Sequence, residues 1–448
     1  PLKDLHTFVQ YPKSDELKIK YVQRISFIVL NDGLMVSGIA KQYSKYLGSR
    51  LLSINGVPVD TFAERMTKIK PSENSIGNLQ NLSSWGNQDE ILDKLGVKFK
   101  DSVCYKFLTV NSDTVLLELP VVDRGHVADV EMARLNSTLT LPQDNLQFAF
   151  IDVDDNIMYL RLSSVMAREN YRYCHEHGWN NALSDISYYY QSSGKDMPED
   201  INDAINTIPS FSEEFSKMLM MMKENDSENL IIDMRGNGGG WTPITRPSMM
   251  MMFGDEYYKK DFDVRSVWLL SDLYLRKLNQ TIEQLNQSWG TQLKVGDYFT
   301  MTEYQDGDIA TLRSRMLQNA MTETPDLLQS LNGAPLYRPK KIFVITDPHT
   351  NSAAFHYAFY LEKMGATLVG VPSSQAPNTF MEVTPFKLPY TGLVASSSNT
   401  MQQFFPTDSP YARILITDIA MTSTDYYKYN LDANTPILTV LDICKPTD

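Results

Sequence analysis

The sequence predicts an α/β (α+β) fold in which a small β-rich module precedes a larger α/β layer. Three observations carry this. Alternating apolar runs broken by Asp-Gly and Asn-Gly occupy the first quarter of the chain, and such dipeptides between such runs signal hairpins. A strand, loop, helix and strand follow one another from Lys340 to Pro372, the βαβ pattern of a layered sheet. Apolar residues at helical spacing in "FSEEFSKMLMMMKEN" predict a helix that stops just before the strand "NLIIDMR".

Taken in order, "YVQRISFIVLNDGLMVSGIA" reads as two strands around Asn31-Asp32-Gly33. "LLSINGVPVDTFAERMTKI" reads as a strand, an Asn-Gly turn, a short strand and an amphipathic helix, and "DSVCYKFLTVNSDTVLLELPVV" adds two more strands. These define a β-rich domain over residues 21–122, preceded by an N-terminal segment, 1–20. Proline and charge around residues 120–145 mark a junction, and 123–448 form the remaining domain. Within it "NIMYLRLSSV" is a strand, and the tyrosine-rich, polar stretch 168–209 is an insertion or lid. Residues 255–330 have weak periodicity and read as helical elaboration around a cleft. The chain closes with alternating strands through "TPILTVLDI".

Composition removes several function classes. The 448 residues suggest two or three domains. A net charge of −13 without a basic block argues against nucleic acid, whose phosphates demand a basic surface. No apolar run approaches the roughly 18 residues of a membrane span; the methionine-dense "KMLMMMKEN" and "RPSMMMMFG" read as core or pocket lining. Cys104, Cys174 and Cys444 are too few and too scattered for a disulfide scaffold or zinc site, and read as free, mostly buried thiols. A start at "PLKDLH" reads as a mature or trimmed product. No metal and no cofactor are expected.

The chemistry concentrates in two loops. In "NLIIDMRGNGGGW" four glycines follow a strand directly. Glycine loses the most conformational freedom on folding, so the run is either a tight turn or backbone bared to a ligand. It lacks the Gly-Lys-Ser/Thr of a phosphate loop and the G-x-G-x-x-G spacing of a dinucleotide site. In "VITDPHTNSAAFHYAF" a buried strand delivers a polar loop, and Ser352 falls where that loop becomes a helix. There it either caps the helix or serves as a nucleophile favoured by the helix N-terminus. A serine nucleophile needs a base, and only six histidines are available: His6, His126, His175, His177, His349 and His356. His349 is the nearer in the loop, while His356 is locked one turn along the same helix.

The ordered set of "NLIIDMRGNGGG", "KKIFVITDPHTNSAAFHYAFYLEKMGATLVGVPSS" and "ITDIAMTSTDYYKYNLD" resembles the C-terminal-processing (tail-specific) serine peptidase family, which includes the core of tricorn protease. The likeness extends to "YLGSRLLSINGVPVDTF", similar to the family's PDZ-like segment, and to "NIMYLRLSSV". It implies a crotonase-like ββα protease core with a smaller PDZ-like domain, and a serine endopeptidase acting on unstructured polypeptide through an acyl-enzyme. It implies Ser352 as nucleophile, with oxyanion donors from Ala353 and from one of Gly238 and Gly239. The family's dyad lysine is absent, because Ala376 stands at its position in "GVPSSQAPNTF". The resemblance is therefore to the Ser–His branch, whose Asp-x-His-Thr motif matches Asp4, His6 and Thr7 in "KDLHT" and makes His6 the base. Tyr411 falls near the branch's acid; Asp408 is the nearest carboxylate, also readable as an Asx turn in "PTDSP", and Glu382 is a weaker candidate. Asn378 either contacts the substrate backbone or serves the turn after Pro377. The competing function is a family-like scaffold that binds peptides or apolar ligands without turnover. The resemblance also implies a location outside the cytoplasm.

Overall fold

The computed structural model describes residues 4, 6–10, 21–152, 154, 156–179, 181–302 and 307–445. Its centre is a six-stranded sheet whose strands lie in chain order: β1 (Phe148–Phe150), β2 (Ile157–Arg161), β3 (Asn229–Asp233), β4 (Lys341–Thr346), β5 (Thr367–Gly370) and β6 (Ile419–Ala420). The first pair is antiparallel and the rest are parallel. Parallel strands need crossovers, which here include α1 (Phe211–Glu224), α2 (Arg246–Phe253) and α3 (Ala353–Lys363). The sheet is buried on both faces. Leu230, Ile232 and Val344 point into one core, with α1, α2 and α3, while Ile231, Phe343 and Ile345 point into the other. That double burial is why these strands read as continuous apolar runs.

The second core is shared with an eight-stranded sheet built from Tyr21–Gln23, Ile25–Leu30, Gly33–Ala40, Arg50–Ile54, Val57–Pro58, Ser102–Leu108, Thr114–Asp123 and Met132–Arg134. Its hairpins fall where Asp32-Gly33 and Asn55-Gly56 foretell them, the latter with both φ angles positive, 46° and 79°. Pairing of Met132–Arg134 with Gly33–Ala40 carries this sheet about a dozen residues past 122. Asn31 Nδ2 bonds the carbonyls of Gly370 and Met421, locking the module to the central sheet.

A third sheet decides where the N-terminal segment goes. Val394–Gln403 pairs along one edge with Thr379–Lys387. Its other edge takes Phe8–Gln10 at one end and Arg265–Leu269 at the other, and Tyr298–Thr302 pairs with Arg265–Leu269 in turn. Residues 255–330 therefore contain two strands besides helices, correcting the all-helical expectation. "TPILTVLDI" is also corrected: it is a helix, Thr435–Cys444, opened by a proline in its first turn. Ile437, Val440, Leu441 and Cys444 face the core at helical spacing.

The 168–209 stretch forms three helices, Arg168–Glu176, Ala182–Ser193 and Ile201–Thr207, around their own small core of Tyr171, Ile186, Tyr190 and Ile205. It is pinned at its base. The buried Glu169 carboxylate accepts hydrogen bonds from the hydroxyls of Ser210 and Ser212 and the N–H groups of Phe211 and Ser212, at the head of α1. Met249 to Met252 are all buried in α2. The three cysteines are free, but only Cys174 is buried. Among the described residues no helix is long and apolar enough to cross a membrane.

Candidate active site

Strands β3 and β4 are parallel neighbours, with Asp233 opposite Ile345. The loops leaving their C-terminal ends must therefore meet, and these are the glycine loop and the loop carrying Ser352. The acid and arginine of "DMRGNGGG" anchor the first. Arg235 holds both oxygens of Asp233 at 2.7 and 2.9 Å and reaches the Ala433 carbonyl. Burial alone would raise the Asp233 pKa, but the Arg235 and Arg161 guanidiniums override it and hold the carboxyl below its ordinary value. Asn237 then pins the turn: its Nδ2 donates to the Leu162 carbonyl, its Oδ1 accepts from Gly239 N–H at 2.9 Å, and its carbonyl accepts from Asn351 N–H.

That last bond clamps one loop onto the other, and Gly239 is where they touch. At φ +109° a Cβ there would lie 2.6 Å from Ser352 Cβ, 2.8 Å from the Asn351 carbonyl and 3.0 Å from Ala353 N. Only glycine fits. Ser352 itself has φ +53° and ψ −126°, a strained setting for a side-chain-bearing residue, at the N-cap of α3. Its side chain makes no capping bond, contrary to the capping reading. The N–H groups of Ala353 and of the exposed Gly238 enter no hydrogen bond among the described residues, whereas that of Gly239 is taken by Asn237. Of the glycine pair, Gly238 is thus the one with a donor to spare.

The backbone of Ser352 is held by a residue that sequence reading missed. Its N–H donates to Gln375 Oε1 at 2.5 Å, while Gln375 Nε2 is buried without a partner among the described residues. The next residue, Ala376, donates its N–H to Glu73 Oε2 at 2.8 Å, and the Thr379 hydroxyl donates to Glu73 Oε1. Glu73 is 1% exposed, and it lies in the cluster that contains His6. Ligand-type atoms of Asp4, His6 and Glu73 all fall within 4.8 Å of one another.

His6 comes from the far end of the chain, and pairing of Phe8–Gln10 with 394–396 delivers it. Asp4 completes the anchor, accepting from the N–H groups of His6 and Thr7 and from the Thr7 and Ser398 hydroxyls. His6 Nδ1 is buried without a hydrogen bond among the described residues. Its ring is close enough to His356 to disfavour a second positive charge there. Burial above all, with a smaller push from His6 and against an opposing bond from Gln402, depresses the His356 pKa to about 4. His356 is therefore a neutral core imidazole, bonded through Nδ1 to the Thr242 hydroxyl at 2.8 Å. His349 is turned to Gln80 on the exposed side of its loop.

The surroundings of the other two expected residues differ. Asp408 is exposed and enters no hydrogen bond or ion pair among the described residues. Asn378 is 3% exposed, and its amide is spent on the backbone: Nδ2 on the Phe405 carbonyl, Oδ1 on the N–H groups of Phe404 and Phe405. It serves the turn. As a cation site, Asp4, His6 and Glu73 supply suitable atoms, but both carboxylates already accept protein hydrogen bonds that a metal would displace.

No protein-family model matches the sequence, and no curated protein sequence matches it either. Solved structures do. Mature CPAF in complex with lactacystin aligns over 98% of this chain and 86% of its own, at 15% identity and a TM-score of 0.50. The chain shares that fold. Mature CPAF alone aligns over 99% of this chain and 86% of its own, at 16% identity and a TM-score of 0.48. The photosystem II D1 C-terminal processing protease aligns over 94% of this chain and 79% of its own, at 12% and 0.31.

Proposed function

We propose that this protein is a serine endopeptidase of the C-terminal-processing type, cleaving unstructured polypeptide through an acyl-enzyme on Ser352. The observation that carries the proposal is the Gly239–Ser352 contact. It sets a strained serine beside two unspent backbone donors, Gly238 and Ala353. Donors so aimed stabilise the negative charge that develops on an attacked carbonyl, and removing one typically costs on the order of 100 to 1000-fold in rate. His6 is the general base, imidazole being the side chain best suited to shuttling a serine proton. The orienting acid is reassigned from Asp408 to Glu73, the buried carboxylate beside His6. The six-stranded layer with its helices supports a crotonase-like core, and the sheet of residues 21–134 a PDZ-like one. A location outside the cytoplasm belongs to the same reading.

A fluorophosphonate should label Ser352 in the wild type and fail to label Ser352→Ala, with labelling much slowed in His6→Ala. Labelling elsewhere, or none, refutes the peptidase. The non-catalytic alternative is favoured by one feature, the large aromatic cavity beside the site; binding of an unfolded casein-like chain without hydrolysis would select it.

A further inference from the structure

A cavity of about 850 Å³ opens beside α3, walled by Trp241, Tyr173, Phe262 and Tyr360 among others. Its position relative to Ser352 follows from the helix. His356 and Tyr360 lie one turn apart on one face of α3, and Ser352 stands at its N-cap, four residues before His356. Thr242, on the cavity wall, bonds His356, and Tyr360 lines the cavity a turn further on. Eight residues of helix rise about 12 Å, a span that an extended peptide covers in three to four residues at about 3.3 Å each.

The charge inside is uneven. Arg172 on the wall is spent on Glu323 at 2.8 Å, and Glu169 on the head of α1. Glu176 and Lys260 are exposed. Arg246, in the first turn of α2, lines the cavity and enters no hydrogen bond, ion pair or ring contact among the described residues. The rings on the cavity wall, with Trp241 and Tyr173 at 5.5 Å from each other and Phe262 and Tyr360 at 4.9 Å, make the cavity less polar than open solvent. A guanidinium's rigid fork matches a carboxylate in two parallel bonds.

We propose that this cavity is a substrate subsite for a carboxylate, carried three or four residues from the scissile bond, with Arg246 as its counter-ion. The proposal rests on the peptidase reading for the position of that bond, but its test does not need turnover. Ser352→Ala protein is titrated with labelled peptides that differ only in Glu, Gln or Lys at each of those positions, all C-terminally amidated. A further arm ends the neutral peptide there as a free carboxylate. The Glu peptide, the free-carboxylate peptide or both should bind roughly tenfold tighter than Gln, as expected for about one charge-assisted pair. Arg246→Ala should erase that ratio and Arg246→Glu should invert it toward Lys, each checked for a wild-type circular-dichroism spectrum. Equal binding of Glu, Gln and free-carboxylate peptides at every position overturns the subsite, as does a Glu preference that survives Arg246→Glu. Failure of the wild type to hydrolyse any of the peptides overturns the peptidase reading instead, whatever the binding ratio.

Discussion

Replacing Gly239 with alanine tests the link between loop geometry and chemistry. The added Cβ would stand 2.6 Å from Ser352 Cβ, about 0.8 Å inside the closest ordinary contact, and 2.8 Å from the Asn351 carbonyl. Neither neighbour is the free end of a flexible side chain, so the nucleophile and its loop must move. The residue also sits at φ +109°, where an L side chain adds strain of about 1–3 kcal/mol. A misplacement near 1 Å costs on the order of 100-fold in a positioned reaction. Gly239→Ala should therefore lower the fluorophosphonate labelling rate by about that factor, with only a modest fall in melting temperature. Gly238→Ala is the control. Its φ is not positive and nothing lies within 4 Å of the added atom, so the nucleophile stays in place. Equal labelling rates for the Gly239→Ala protein and the wild type would refute the claim that this glycine sets the position of Ser352.

Three further outcomes are expected. Glu73→Gln should slow hydrolysis on the order of 100-fold, less than loss of the serine or the base, while Asp408→Asn leaves kcat/KM unchanged; the opposite ranking restores Asp408 as the acid. Gln375→Met strands the Ser352 N–H, which costs about 1–3 kcal/mol, so kcat should fall about tenfold with KM little changed, and an unchanged kcat removes Gln375 from any positioning role. His356 links stability to acidity. Its pKa is about 4 in the fold against an ordinary 6.5, so below pH 6.5 the unfolded chain takes a proton that the fold refuses. Stability should fall by roughly 3 kcal/mol between pH 6.5 and 4, and urea midpoints of His356→Gln should show that much less decline over the same window.

What the sequence discloses follows the range of the interactions. Asn55-Gly56 and Asp32-Gly33 act locally, so their turns are legible. The glycine loop and the Ser352 loop are legible too, because neighbouring parallel strands force their ends together. Arg265–Leu269 and Tyr298–Thr302 are not, since the first needs Val394–Gln403 as a partner more than 120 residues away and the second pairs onto the first; strand preference depends on that context. "TPILTVLDI" misleads because its β-branched residues suggest a strand while burial follows positions 437, 440, 441 and 444. Glu73 carries no local signal. In "PSENS" it precedes Asn74, which caps the next helix, and only the fold brings it to His6.

The division of labour across the site explains why its pieces are so far apart. Ser352, the proposed nucleophile, and its proposed backbone donors sit on loops leaving the central sheet, where double burial and the Asp233–Arg235 pair fix the strands that carry them. His6, the proposed base, lies two residues before a three-residue strand, Phe8–Gln10, exposed at each position and held by pairing to 394–396 and by the bonds around Asp4. The carboxylate beside it comes from the β-rich module, tied across by the Ala376 and Thr379 bonds to Glu73 and by Arg413 on the Glu73 carbonyl. On the proposed mechanism, three separately stabilised parts must therefore register together before a proton passes from Ser352 to His6. The serine and its donors sit on loops clamped to each other at the ends of neighbouring strands and need no such assembly. The proximity of His6 to Glu73 depends on two dockings, the N-terminal strand on 394–398 and the module on the loop from Ser373 to Thr379. That loop also carries Gln375, so a single short segment holds Ser352 on one side and Glu73 on the other.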